Sequence, residues 1–351
     1  MAQGGISPAM PSAPGQVGGD RTATVLAVAH QPTAFTAPRP DERTVMENQI
    51  RLAALGIREE LGPMWVDYRA QSGEMTSIQV VHSPKSLSLD QIPRRTKGFG
   101  LSSVELMEQQ LTAATAAERA VLPAALAREN VSVSLVWISR CIADADDRHR
   151  AEDLVWADRL ISLAAEAQAE QVGVLLMPPP FVPPVTPASF KVIVETLRGL
   201  IATAQAAGVR LMLENADPYT ADPAKLTPLL DAVGPELGLV LDTGNLEPVM
   251  SAAVEAFLTG REPDDLADAD PAYEAIQALL PRAEVVHVKT YGFHPDGRSK
   301  LYDLDRVLRI IADSGYEGPL TIEYGGFDAK AAESAIKRTA ELIRAAAPAT
   351  A

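Results

Sequence analysis

The chain has 351 residues, 47% of them hydrophobic and 22% charged, which is typical of a globular protein with room for one barrel-sized domain and an appendage. Its formal net charge of −15 offers no basic field for nucleic acid or anionic lipid, so we expect neither as a partner. The single cysteine, Cys141, excludes an intrachain disulfide and a thiolate metal cluster, and it favours a reducing compartment. Because no apolar run approaches the ~18 residues of a membrane-spanning helix, we expect a cytoplasmic protein.

The beginning of the chain predicts a tail followed by a helix. Residues 1–42 are rich in Gly, Pro, Ala, Ser and Thr and show no periodicity, which predicts a disordered tail. From about Asp41 to Leu61 apolar residues recur among charges in a helical pattern, which Gly62 and Pro63 end. We therefore assign residues 43–75 to a helical lead-in and residues 76–346 to the main domain.

Strand-like and helical segments alternate regularly through the main domain. The predicted strands are 77–81, 103–106, 131–138 and 172–177, followed by four that carry polar residues near 214, 242, 287 and 323. The predicted helices are 107–128, 147–170, 189–207, 223–232, 252–280, 304–314 and 329–346. Eight strands interleaved with helices predict an α/β fold, a (β/α)8 TIM barrel. A doubly wound open sheet is the alternative, but no Gly-rich nucleotide loop follows the first predicted strand.

Metal-binding residue types stand at or near the C-terminal ends of the last four strands. They are Glu214, Asp242, His287 and Glu323. A single carboxylate at a strand end is often a helix N-cap, and a single histidine is often structural. In a TIM barrel, however, active sites are built where the C-terminal strand ends meet. Four such residues on consecutive strands therefore predict a metal site.

These segments resemble the xylose-isomerase-like TIM barrels, the sugar phosphate isomerase/epimerase superfamily. The resemblance is carried by Gly208–Asn215, Leu239–Asn245, Val286–Lys289 and Gly315–Tyr324, and Gly100–Leu106 is similar to the second strand of that family. It covers about residues 76–346. It implies a divalent ion (Mn²⁺, Mg²⁺, Co²⁺ or Zn²⁺) held by Glu214, Asp242, His287 and Glu323. Three carboxylates and one imidazole suit Mn²⁺ or Mg²⁺ and tolerate Co²⁺ or Zn²⁺, and we expect Mn²⁺.

The resemblance also implies a reaction. A ketose would bind the ion through its carbonyl and an adjacent hydroxyl, and an enediolate would form. Glu214 and Glu323 would then serve as base and acid on opposite faces, which makes the chain a sugar isomerase or epimerase. A dehydratase or lyase on an inosose-like or 3-keto-glycoside substrate would use the same metal and base. A DNA-repair endonuclease of the superfamily would need many more than the 5 histidines present, and a non-enzymatic scaffold stays open as well.

Two positions depart from the family pattern. Many members have histidine where Asn245 stands and an acid where Thr290 stands. Asn245 is expected either to hydrogen-bond a sugar hydroxyl or to cap a helix. Lys289 shares a strand face with His287, so it would either neutralise an enediolate oxygen or extend along the rim into solvent.

Further candidate substrate contacts lie on other parts of the expected mouth. His82 follows the first predicted strand and Trp137 ends the third. Arg298 belongs to a charged loop after the seventh strand, whose composition favours a solvated position. The proline-rich segment 178–184, which includes Phe181, is stiff enough to form a pocket wall. The expected partner is a small sugar or keto-sugar, and the chain is expected to be a homo-oligomer or a complex subunit if it assembles at all.

Overall fold

The computed structural model describes residues 49–70 and 72–346, and the predicted tail, residues 1–42, lies outside them. The strands of the described part are β1 (Ile50–Ala53), β2 (Met64–Arg69), β3 (Met75–Val81), β4 (Ser103–Met107), β5 (Ser132–Cys141), β6 (Gln171–Leu175), β7 (Arg210–Glu214), β8 (Gly238–Asp242), β9 (Ala283–Thr290) and β10 (Leu320–Tyr324). The helices are α1 (Arg58–Leu61), α2 (Ile92–Gly98), α3 (Glu108–Thr112), α4 (Ala116–Glu129), α5 (Asp147–Glu166), α6 (Phe190–Ala206), α7 (Pro223–Val233), α8 (Val249–Thr259), α9 (Asp270–Leu279), α10 (Leu304–Asp313) and α11 (Ala332–Ala346).

Eight of these strands close into a parallel barrel, in the order β1, β10, β9, β8, β7, β6, β5, β4. Each strand from β4 to β9 pairs with the next one along the chain, and β1 closes the ring between β4 and β10. Helices on the outside cover the apolar faces that the strands turn away from the barrel axis. The predicted (β/α)8 TIM barrel is therefore confirmed.

The first strand of the barrel is not the predicted one. Residues 77–81 form a strand, but β3 pairs antiparallel with β2 in a separate hairpin. The barrel begins with β1, inside the segment that we assigned to a helical lead-in. Only four residues long, β1 is followed directly by a 3-10 helix (Ala54–Ile57) and α1, so its period-two pattern is masked by helical neighbours. The domain boundary predicted at residue 76 therefore falls inside the barrel's own first connection.

The β2–β3 hairpin is an insertion at the mouth of the barrel. It follows the C-terminal end of β1, and in a parallel barrel all such ends lie on one face. Ion pairs hold it to neighbouring elements: Arg69 Nη2 lies 3.2 Å from Asp153 Oδ1 on α5, and Arg140 Nη2 on β5 lies 2.9 Å from Asp67 Oδ2. The hairpin is thereby fixed beside the C-terminal ends of the strands.

Two long predicted helices are each divided in two. The segment 107–128 contains α3 and α4, because Thr115 caps α4 and exchanges hydrogen bonds with Glu118 in a capping box. The segment 252–280 contains α8 and α9, and α8 ends at Gly260, whose φ of 66° lies in the left-handed region that favours glycine. None of the helices in the part of the chain that the structure describes has the length and apolar character to cross a bilayer.

Apolar side chains fill the inside of the barrel below its mouth. Leu135, Trp137, Met212, Val240 and Val285 pack together there. Because side chains alternate along a strand, the next inward position toward the C-terminal end is Glu214 on β7, Asp242 on β8 and His287 on β9. The inward-facing layer at the C-terminal ends of these strands is therefore polar, and it lies directly above the apolar layer.

Candidate metal centre

The four predicted ligands converge at the mouth of the barrel. Glu214, Asp242, His287 and Glu323 each offer one ligand atom, and these atoms all lie within 4.8 Å of one another. All four side chains are buried. Asp242 and His287 are direct partners in the register of β8 and β9, which places them side by side. The arrangement could hold a metal ion.

The two ring nitrogens of His287 have different partners. Nδ1 faces the cluster, at 3.0 Å from Glu323 Oε2, 3.6 Å from Glu214 Oε1 and 4.0 Å from Asp242 Oδ2. Nε2 donates a hydrogen bond of 2.9 Å to Glu105 Oε2. Burial alone would lower the pKa of His287, but the carboxylates of Glu105 and Glu323, one at each ring nitrogen, raise it well above its usual value. Because Glu105 engages Nε2 from outside the cluster, Nδ1 is the nitrogen that would give up its proton to ligate a cation.

Glu105 is part of this site, although we assigned it no role from the sequence. It is fully buried on β4 and also accepts hydrogen bonds from Trp137 Nε1 (3.1 Å) and Thr321 Oγ1 (2.6 Å). Burial by itself would raise its pKa, but His287 and the Thr321 hydroxyl together hold the pKa of Glu105 below its usual value. The sequence offered one indication of this role, an acidic residue within the apolar run Val104–Leu106. The same pattern, an acid in an apolar strand, marks Glu214 and Glu323.

The two candidate catalytic carboxylates are in opposite electrostatic situations. Burial raises the pKa of Glu214 well above its ordinary value, and the carboxylates of Asp242 and Glu323 add to that shift. Burial would also raise the pKa of Glu323, but the Lys289 ammonium and the His287 imidazole outweigh it, so the pKa of Glu323 is lowered. Glu323 is thus held in the ionised form, while Glu214 favours the protonated one.

Lys289 points into the same site. Its Nζ lies 2.7 Å from Glu323 Oε1, and it donates hydrogen bonds to Asp242 Oδ2 (2.9 Å) and Asn245 Oδ1 (3.0 Å). The predicted position of Lys289 beside His287 is therefore confirmed, and the alternative of an extended rim lysine is wrong. Asn245 faces the site through its contact with Lys289 and does not cap α8, whose N-cap residue is Pro248.

Two glycines make room for the Lys289 side chain. A Cβ added at Gly244 would lie 2.4 Å from Lys289 Cδ, and one added at Gly325 would lie 3.1 Å from Lys289 Cε. Contacts this short exclude a larger residue at Gly244 unless the lysine moves. The glycines after β8 and β10 therefore leave the space in which the Lys289 side chain reaches the carboxylates.

Backbone and side-chain hydrogen bonds orient Asp242. Its backbone N–H donates to Asn215 Oδ1 at 2.7 Å, and Asn215 Nδ2 donates to the Asp242 carbonyl at 2.9 Å. The Gly244 N–H donates to Asp242 Oδ1 at 2.7 Å, which leaves Oδ2 directed at Lys289 and the cluster. Such contacts to a ligating residue fix its orientation before any ligand arrives.

A cavity of about 400 Å³ opens directly above the cluster. Glu214, Glu323, Lys289 and Asn245 line it on the side of the cluster, and the polar residues Arg58, Glu59, Gln109 and Ser139 line it as well. Phe181 from the proline-rich segment lines it, as predicted from the sequence. A volume of this size lies in the range of sites that enclose a small organic ligand.

The remaining predicted contacts have different outcomes. Trp137 is buried, lines the cavity and meets the His287 ring edge-on, with 5.6 Å between the ring centroids. His82 follows β3 of the hairpin, not a barrel strand, and its exposed side chain does not line the cavity. Arg298 is 66% exposed, pairs with Asp296 and Asp265 on the surface and does not line the cavity. The prediction for His82 was wrong because the strand that it follows, β3, pairs with β2 in the hairpin and is not a strand of the barrel.

Solved structures with this fold include several enzymes. The structure of an L-ribulose 3-epimerase superposes with a TM-score of 0.57 at 16% identity, covering 85% of this chain and 95% of that one. A xylose isomerase-like TIM barrel protein from Mycobacterium smegmatis in complex with magnesium superposes with a TM-score of 0.55 at 20% identity, covering 86% of this chain and 98% of that one. The probable 3-DHS dehydratase AsbF from Bacillus anthracis superposes with a TM-score of 0.54 at 14% identity, covering 84% of this chain and 98% of that one. These likenesses establish the fold.

A comparison with proteins of curated function finds no match. The sequence profile of one family, described as the xylose isomerase-like TIM barrel, matches residues 93–346, which is more than half of the chain and contains all four candidate ligands. The chain belongs to the family of xylose isomerase-like TIM barrels.

Proposed function

We propose that this protein is a divalent-metal-dependent sugar isomerase or epimerase that moves a proton on the carbon next to a ketose carbonyl. One observation carries the proposal: Glu214, Asp242, His287 and Glu323 bring their ligand atoms within 4.8 Å of one another at the base of a ligand-sized cavity. The epimerase named among the solved structures of this fold supports the same reaction class.

The donor set fits a divalent ion. Burial and the neighbouring carboxylates of Asp242 and Glu323 favour the protonated form of Glu214, and a bound cation would favour the ionised, ligating form of all three. His287 presents Nδ1 while Glu105 holds Nε2, as is usual for a metal-ligating histidine. Mostly oxygen donors with one nitrogen suit Mn²⁺ or Mg²⁺ and tolerate Co²⁺ or Zn²⁺, and we propose Mn²⁺. When bound, such an ion polarises the substrate carbonyl as a Lewis acid and stabilises negative charge on the neighbouring oxygen.

Glu214 and Glu323 are the proposed proton-transfer groups. They stand on β7 and β10, which are separated in the barrel by β8 and β9, so they reach a ligand in the mouth from different directions. One carboxylate removes the proton from the carbon next to the carbonyl, and the other returns a proton from the other side. Two groups on opposite faces invert the configuration at that carbon, which is the outcome of an epimerase.

Lys289 and Asn245 are proposed to position the substrate. The ammonium of Lys289 lies beside two of the ligand carboxylates, where it can neutralise an oxygen that becomes negative during proton removal. The amide of Asn245 is close enough to Lys289 to hydrogen-bond it and still faces the cavity, where it can contact a sugar hydroxyl. Trp137 forms part of the wall and supports the His287 ring.

Deuterium exchange tests the proposal. The full chain, loaded with Mn²⁺ after chelator treatment, is incubated in D2O with a panel of ketoses and keto-glycosides, and mass spectrometry follows label at the carbon next to the carbonyl. We expect metal-dependent incorporation that Glu323→Gln abolishes and that the exposed α6 variant Glu195→Gln retains. Elemental analysis is expected to find one divalent ion per chain in the wild type. Absence of bound metal, or absence of exchange across the panel, would contradict the proposal.

Elimination is the second candidate, because proton removal next to a carbonyl also begins a dehydration and a probable dehydratase shares this fold. The same carboxylates would remove the proton, and a leaving group would depart in place of reprotonation. Isomerisation conserves the substrate mass, whereas dehydration lowers it by one water, so the same mass spectra distinguish the two reactions.

A further inference from the structure

The walls of the cavity differ in chemistry from its base. The hairpin contributes Met64, Val66 and Val81 on one side, and α8 contributes Met250 and Val254 on another. The side chains of Met64 and Met250 are almost entirely buried, and Val254 is half-buried. Above the polar cluster, the cavity is thus bounded mainly by aliphatic side chains.

Three phenylalanines from separate elements extend this apolar wall. Phe181 comes from the proline-rich loop after β6, Phe257 from α8 and Phe327 from the loop after β10, and all three line the cavity. The ring centroids of Phe181 and Phe257 are 5.0 Å apart, and those of Phe257 and Phe327 are 6.3 Å apart. Phe327 is 36% exposed. Aromatic surface left facing a cavity next to a reactive centre gains free energy when an apolar ligand group covers it.

The cations that line the cavity already have partners. Among the described lining residues these are Arg58 and Lys289. The guanidinium of Arg58 donates to the backbone carbonyls of Leu55, Tyr324 and Gly326. Lys289 lies at the base beside the cluster carboxylates, where the proposed function already uses it on the carbonyl end of the substrate. A phosphate would need a cation that is free to pair with it. The site therefore disfavours a phosphorylated substrate.

A ligand with hydroxyls all round also fits the walls poorly. The wall hydroxyl of Ser139 donates to Glu108 Oε1 at 2.7 Å, so it is already used as a donor. Hydroxyls placed against the methionine, valine and phenylalanine side chains would lose their water partners without finding new ones, which costs free energy. Beside Glu214, Glu323, Lys289 and Asn245, the polar side chains of the described lining are a minority: Arg58, Glu59, Gln109, Ser139 and Tyr291.

We infer that the substrate combines a sugar-like carbonyl end, which binds at the cluster, with an apolar alkyl or aryl substituent, which packs against Phe181, Phe257 and Phe327. A keto-glycoside with an apolar aglycone is the chemical class that meets both requirements. This inference rests on the proposed function for the position of the carbonyl end. It adds the substrate class, because the apolar wall is continuous with the cluster in a single cavity.

Matched glycosides test the inference in the full-length, Mn²⁺-loaded chain. Isothermal titration calorimetry compares n-hexyl 3-keto-β-D-glucoside with methyl 3-keto-β-D-glucoside, which share the same keto sugar. We expect the hexyl compound to bind at least about tenfold more tightly, since each buried methylene contributes roughly a fourfold gain and only about two need be buried. Equal dissociation constants, or no binding of either compound, would overturn the inference.

Wall variants locate the effect. Phe257→Ser is expected to reduce the hexyl-to-methyl ratio of affinities at least about threefold. Val254→Thr keeps the side-chain shape and adds a hydroxyl, so it should reduce the ratio in the same direction, and its half-buried position limits the cost to folding. Phe190→Ser is the control, because Phe190 is a 44% exposed phenylalanine on α6 that does not line the cavity. A control that lowers the ratio as much as Phe257→Ser would contradict the assignment of the wall.

The same titrations separate this inference from the proposed function. The hexyl group gains affinity from its contacts with the cavity walls, which do not involve the metal. The hexyl-to-methyl ratio of affinities is therefore expected to be the same after chelator treatment. A preserved ratio without metal-dependent deuterium exchange would contradict the proposed function alone. Metal-dependent deuterium exchange together with a hexyl-to-methyl affinity ratio near one would contradict the inferred substrate class alone.

Discussion

Glu105 and His287 are 182 residues apart in the sequence and are joined by a hydrogen bond of 2.9 Å between Oε2 and Nε2. Both side chains are fully buried. This bond fixes the ring of His287 so that Nδ1 faces the three carboxylates of Glu214, Asp242 and Glu323. A residue that contacts no part of the expected ion thus controls the one nitrogen donor.

Glu105→Gln should weaken metal binding. The amide is a poorer acceptor than the carboxylate and can present its N–H2 to the ring, so we expect Mn²⁺ affinity to fall about 10–100-fold. Competition with a fluorescent chelator measures the change. Glu108→Gln is the control, because Glu108 is a buried acid that binds Ser139 and Trp156 outside the cluster. Equal affinities in the wild type and Glu105→Gln would refute the positioning role.

Lys289→Met should impair turnover more than substrate binding. It removes the ammonium that lies 2.7 Å from Glu323 Oε1 and 2.9 Å from Asp242 Oδ2. We expect kcat for the exchanging substrate to fall about 10²–10³-fold with a smaller change in KM, as for other groups that stabilise developing charge. Lys300→Met, which removes a lysine paired with Glu262, should leave kcat unchanged. A larger change in KM than in kcat would instead assign Lys289 to substrate binding alone.

Mn²⁺ should stabilise the fold. The four ligand atoms converge only in the folded chain, so an ion that they bind favours folding. At a free concentration of about 100 times its Kd, the ion should raise the free energy of unfolding by about 2.7 kcal/mol. Urea denaturation with Mn²⁺ and with a chelator measures the difference. Asp242→Asn should abolish most of this gain, and a wild-type chain with equal stability in both buffers would show that the cluster binds no ion.

Gly173→Ala should disturb the packing beneath the site. A Cβ at Gly173 on β6 would lie 2.2 Å from the Trp137 ring, and that ring supports His287. We expect a loss of about 1–3 kcal/mol in unfolding free energy from overpacking. Gly199→Ala on α6 is the control, since nothing lies within 4 Å of its added Cβ, and it should be neutral or stabilising by up to about 1 kcal/mol. Equal effects of the two changes would show that Trp137 relaxes freely.

Cys141 should react slowly in the folded protein. Burial raises the pKa of its thiol to about 12, and Sγ lies 3.5 Å from the Leu176 carbonyl oxygen. At pH 8 only a very small fraction is therefore thiolate, the reactive form, and that fraction rises only at strongly alkaline pH. We expect modification by a disulfide reagent at pH 8 to be at least about 100-fold slower than in the urea-unfolded chain. Comparable rates in the two states would contradict the burial of this thiol.

Local pattern was sufficient for most of the barrel and for the four ligands. Apolar runs that end in Glu214, Asp242 and Glu323 indicate buried strands, and the ends of parallel strands meet on one face whatever the connecting helices are. The strand β1 was not predicted from the sequence, because four residues next to helical turns are too few to show a strand periodicity. Its identity depends on pairing with β4 and β10, which lie far along the chain.

The sequence by itself therefore determined the fold class and the acid–histidine cluster, since both follow from alternation along each strand. Tertiary structure alone decided that Glu105 holds His287, that Lys289 lies over the carboxylates between Gly244 and Gly325, and that three distant phenylalanines form one apolar wall. These relationships join residues whose separation along the chain carries no local signal. They arise only when closure of the barrel brings its strand ends and loops within contact distance.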